Sequence, residues 1–91
     1  MSPTEYLLIC LGEECAEVIK DASKALRFGP NNSETCMDAP NHEAIGAELN
    51  DVIAVFAELT ERGFFHGDPF DPAEVEAKRA RLRAYMEAAC T

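Results

Sequence analysis

Basic residues are scarce in this 91-residue chain, where eight lysines and arginines face 17 aspartates and glutamates for a formal net charge of -9. Such a surface repels a phosphate backbone, which argues against binding a nucleic-acid polymer. A mononucleotide is a different case, because divalent cations held by carboxylates can bridge a protein to its phosphates. Long apolar runs are lacking as well. The densest one, Tyr6 to Leu11, is far short of the roughly 20 residues a membrane-spanning helix needs and has no basic residue before it. No partnership with a membrane is expected. The four cysteines, Cys10, Cys15, Cys36 and Cys90, lack paired zinc-like spacing, and no secretory signal precedes them. Reduced thiols in a cytoplasmic protein are therefore expected, with Cys15 as a small hydrophobe on an apolar helix face and Cys10 at its margin. His42 and His66 stand alone and read as structural or solvated.

No alternating strand pattern is present either, and helical signals fill the chain. Ser2-Pro3-Thr4-Glu5 offers an N-cap, a proline at the first helical position and a glutamate at the third, so a helix should open there. It should run to Phe28, where Gly29 and Pro30 stop it, with Gly12 as its weak point. Residues 30 to 40 have no apolar period and read as a loop. A second helix is expected from an N-cap at Asn41 to about Arg62, before Gly63. Phe64, Phe65 and Phe70 lie in the following turn and are expected to tuck under the helices as a plug. Asp71-Pro72-Ala73-Glu74 then repeats the capping signature and opens a third helix to about Ala89. The expectation is an all-α fold in a single domain, 1–91. So short a chain buries little of its surface, so a helical bundle completed by homo-oligomerisation, as a dimer or tetramer, is expected.

Two acidic pairs stand out. Glu14 and Glu17 are three apart, as are Glu48 and Asp51, and that spacing brings each pair to neighbouring places on its helix. On the first helix the pair flanks the apolar arc Leu7, Leu11, Cys15, Val18, Ala22 and Ala25. On the second it flanks Ile45, Leu49, Val52, Phe56 and Leu59. If the helices pack through those arcs, four carboxylates meet at one edge of the core, and cations must offset their repulsion. Hard oxygen ligands without histidine or thiol favour magnesium or manganese. Acidic amphipathic helices also carry such pairs with no metal, and only the match between the two helices sets this case apart.

The pattern Glu13-Glu14-x-x-Glu17 followed by Glu48-x-x-Asp51 resembles the motif of the MazG-like, all-alpha nucleoside triphosphate pyrophosphohydrolases. The likeness spans most of residues 5 to 62, and the segment from Glu13 to Gly29 looks especially like small phage-encoded members, whose setting would be the host cytoplasm. It implies metal ligation by Glu14, Glu17, Glu48 and Asp51, with hydrolysis of a (d)NTP between the alpha and beta phosphates to a (d)NMP and pyrophosphate. It also suggests a purine deoxynucleotide, dGTP ahead of dATP. The long interval between the acidic pairs departs from the pattern and bears on the shape of the nucleotide pocket.

Glu13 or a ligand glutamate such as Glu17 is the expected proton acceptor, and spacing does not choose between them. Lys24 lies near the stripe of Glu17 and Asp21 and is placed to meet the outer phosphates or to serve as a surface charge, with Arg27 less directly in line. Asp21 is either an auxiliary ligand or the partner of a neighbouring lysine. Lys78, Arg79, Arg81 and Arg83 in the third helix either compensate the helix dipole or, through Lys78 or Arg81, reach a phosphate in a neighbouring subunit. Two rivals remain. A di-iron four-helix protein would add Glu-x-x-His pairs, which this chain lacks. A non-enzymatic acidic helical interaction module would need no alignment of the two pairs.

Overall fold

The structure is a computed structural model and describes residues 1–35 and 38–90. The protein is all-α: α1 spans Pro3–Phe28, α2 Asn41–Glu61 and α3 Pro72–Ala89. Local chemistry sets the helix ends. The Ser2 hydroxyl accepts the Glu5 N–H at 3.1 Å, and the Asp71 carboxylate accepts the N–H groups of Ala73 and Glu74 at 2.9 and 3.3 Å. Gly29 ends α1 at φ 95°, which a side chain would resist, and its N–H still reaches the Ala25 carbonyl.

The start of α2 differs from the expectation. Pro40 occupies the N-cap and Asn41 is already helical. The Asn41 side chain turns away from its own helix and donates to the Gly29 carbonyl at 2.9 Å, while its N–H donates to the Asn32 carbonyl at 2.7 Å. His42 N–H adds a bond to the Pro30 carbonyl. The end of α1 is thereby clasped to the beginning of α2, and α2 runs back along α1.

Contact between helices is confined to α1 and α2 among the described residues. The inward seam of α1 is Leu7, Leu11, Glu14, Val18, Asp21, Ala25 and Phe28, an alternation of four and three residues that keeps one stripe turned to a neighbour. The seam of α2 follows Asn41, Ile45, Glu48, Val52, Val55 and Leu59 in the same way. Two expected arc positions on α1, Cys15 and Ala22, are exposed, and so is Leu49 on α2. The polar side chains of Glu14, Asp21 and Glu48 occupy seam positions that an apolar arc would have filled. Cys10, Cys15 and Cys90 carry free thiols, and Cys36 lies outside the described residues.

The phenylalanine turn also departs from the expected plug. Phe65 packs its ring 5.5 Å from that of Phe56 and 5.0 Å from that of Phe64. Phe64 and Phe70 stay exposed. Leu59 is the one hydrophobic residue fully enclosed among those described. Large apolar side chains such as Ile19, Leu26, Ile53 and Tyr85 face outward, Leu26 at 89% exposure. No described helix is long and apolar enough to cross a membrane.

Candidate metal centre

The seam register decides which carboxylates meet. Glu14 on α1 and Glu48 on α2 both point into the contact between the helices, and Asp51 stands one turn beyond Glu48 at its open edge. One carboxylate oxygen from each of the three lies within 4.8 Å of the others. Like charges so close favour a proton or a cation between them. The Glu48 carboxyl is accordingly pushed up to about 7: hydrogen bonding with Glu14 contributes most, then burial, then the negative charges of Glu14, Asp51 and Glu17. With both carboxylates charged, the enclosed Glu48 Oε2 has no donor among the described residues.

An acceptor buried without a donor is costly, and a cation would relieve it. The donor set is three carboxylate oxygens with no histidine or thiol among them. Magnesium and manganese take such oxygens, whereas zinc and copper favour sulfur and nitrogen. The residues present therefore fit a hard divalent ion, with Glu14, Glu48 and Asp51 as the groups that would hold it.

Glu17 stands apart from that trio. It is exposed, lies 3.9 Å from Lys20, and faces a cleft that continues from Glu48 along α1. Glu13 is exposed and also outside the trio. Lys24 lines the same cleft but is engaged by Glu34 from the loop at 3.3 Å. The Arg27 guanidinium lies over the Phe28 ring, 4.9 Å from its centroid. Lys78 and Arg81 are exposed on α3, a helix that touches neither of the others, so within one chain they stand off from the acidic trio. Arg79 and Arg83 both pair with Glu76 at 3.1 Å. His42 and His66 are exposed.

Asp21 pairs with no lysine: Lys20 approaches Glu17, and Lys24 goes to Glu34. Asn41 and Glu34 also shape the cleft. Glu34 carried no signal, being one acidic residue in a turn-rich loop. Asn41 did carry one, since it follows a proline at a helix start, but the signal points to capping and not to a clasp across the loop. Comparison of the chain with protein-family models, with curated proteins and with solved structures finds no match.

Proposed function

We propose that this chain is a magnesium- or manganese-dependent nucleoside triphosphate pyrophosphohydrolase of the MazG-like all-alpha kind, releasing pyrophosphate and a nucleoside monophosphate. The observation that carries the reading is the meeting of Glu14, Glu48 and Asp51 from two helices around an enclosed Glu48 oxygen that has no donor when both glutamates are charged. Resemblance of the Glu13-Glu14-x-x-Glu17 and Glu48-x-x-Asp51 motifs to that family supplies the reaction.

Glu14, Glu48 and Asp51 would hold the ion, which when bound polarises phosphoryl oxygens and lowers the pKa of an attacking water. Glu17, exposed at the mouth of the neighbouring cleft, is placed to take the proton from that water, and Glu13 is the other candidate base. Lys24 meets a phosphate by giving up its contact with Glu34, so binding exchanges one charge partner for another. Arg27 sits one turn beyond Lys24 at the end of α1 and is a weaker candidate for the same task. Because α3 leaves its own α1 and α2 free, Lys78 and Arg81 serve a site only across a subunit boundary, in a homodimer or homotetramer.

The test is pyrophosphate release by purified protein with magnesium or manganese across a panel of ribo- and deoxynucleoside triphosphates. Release from at least one is expected, with dGTP first and dATP second. A panel without release would instead favour the acidic interaction module, for which the unpartnered α3 is the specific structural support.

A further inference from the structure

A cavity of about 510 Å³ opens in the loop where α1 hands over to α2. Phe28 and Pro40 supply its apolar lining, and Asn31, Asn32 and Ser33 part of its polar lining. Ser33 and Glu34 also line the cleft of about 240 Å³ that runs along α1 to Glu48, so the two hollows share a wall. Their chemistry differs. Carboxylates and the Lys24 ammonium border the cleft, whereas Glu34 is the only charged residue lining the cavity.

We propose that this loop cavity takes the nucleoside half of the substrate, its base stacked at Phe28 and its edge met by the Asn31 amide. The inference deepens the proposed function and rests on it for the phosphates. The cavity itself is built from residues outside the acidic trio.

Size divides the two hollows between the two halves of a nucleotide. The cavity falls within the roughly 300–1,000 Å³ of pockets that enclose organic ligands, and the cleft falls below it. Planar surfaces come from the end of α1. The Phe28 ring borders the cavity, the Arg27 guanidinium lies over that ring at 4.9 Å from its centroid, and bases stack on rings and guanidinium planes alike. The Asn31 side chain is an amide with both donors and an acceptor, the combination that meets a base edge. The loop wall is held in place before any ligand arrives. The Asn32 side chain donates to the Phe28 carbonyl at 2.7 Å, the Asn32 carbonyl accepts the Asn41 N–H at 2.7 Å, and the Pro30 carbonyl accepts the His42 N–H at 2.9 Å. Order along α1 fits as well. Phe28 lies one turn, about 6 Å of rise, beyond Lys24, and Lys24 stands between it and Glu14. A nucleotide with its base at Phe28 therefore lays its phosphates past Lys24 toward Glu48.

Nuclear magnetic resonance of the full chain with magnesium tests this by comparing the α,β-methylene analogues of dGTP and dATP with inorganic triphosphate. At least one analogue is expected to shift the amide signals of Asn31 and Asn32, and triphosphate to leave them in place. Phe28→Leu keeps the apolar bulk and removes the ring, so it should weaken that analogue roughly five- to a hundredfold, the worth of one stacked base, with triphosphate affinity unchanged. Asn31→Ala, at an exposed position that does not threaten folding, should weaken the analogue roughly two- to tenfold, the worth of one hydrogen bond. Equal losses of analogue and triphosphate binding in both variants, or no loss in either, would overturn the assignment. An analogue that binds while the Asn31 and Asn32 signals stay in place would overturn it too, leaving pyrophosphate release untouched. A nucleotide seated at these residues with no pyrophosphate released across the panel would uphold the cavity and overturn the reaction. No binding of any probe would overturn both.

Discussion

Glu48 couples stability to pH through its raised carboxyl. In the folded protein it titrates at about 7 against an ordinary value of 4.5, so between those values the native state holds a proton that the unfolded chain has lost. The stability this contributes is complete below about 4.5 and is lost as pH rises through about 7. Thermal melts of metal-free protein should therefore fall across that window, and Glu48→Gln should remove most of the slope. Magnesium should restore the loss at the upper end, where the carboxylates are charged and free to bind it. Identical slopes for wild type and Glu48→Gln would contradict the assignment. For activity, Glu48→Gln should eliminate pyrophosphate release while helical circular dichroism is unchanged. Retained turnover would remove Glu48 from the ligand set.

At the scale of the element, the helix starts written as serine or aspartate followed by proline and, two residues on, glutamate were legible, as was the stop at Gly29. The seam was not. Reading apolar residues alone placed Cys15, Ala22 and Leu49 inward, because polar residues were assumed to lie beside the contact. Glu14 and Asp21 are seven apart and lie on one stripe with Leu7 and Phe28, one full repeat of the four-and-three spacing. The same assumption grouped Glu14 with Glu17, whereas the structure turns Glu14 inward and leaves Glu17 facing the next cleft. The Asn41 clasp depends on a loop bringing residues 29 and 41 together, which no local pattern encodes. Asn41→Ala should cost about 1 kcal/mol, the net worth of one hydrogen bond, since it leaves the half-buried Gly29 carbonyl with only the longer bond from the Asn32 N–H at 3.4 Å. Leu59→Ala should cost about 2–3 kcal/mol, the low end for a buried leucine because so small a core collapses easily. Urea unfolding with unchanged slope would measure both, and a loss near zero for Asn41→Ala would show the clasp to be incidental.

For the whole molecule, the radius of gyration of 16.2 Å exceeds the roughly 12 Å of a compact domain of this length. The excess comes from α3, which stands off α1 and α2, and it accompanies an apolar surface that a lone chain leaves wet. The homo-oligomer proposed above would cover that surface with a second copy. Sedimentation should accordingly give a dimer or tetramer, and the melting temperature should rise with protein concentration. A monomer with a concentration-independent melt would confine Lys78 and Arg81 to roles away from the acidic trio. The proposed activity requires an ion between α1 and α2. A manganese-soaked crystal measured for anomalous scattering addresses it directly: a peak in coordinating contact with Glu14, Glu48 and Asp51 is predicted, and a map without one at full manganese loading would contradict it.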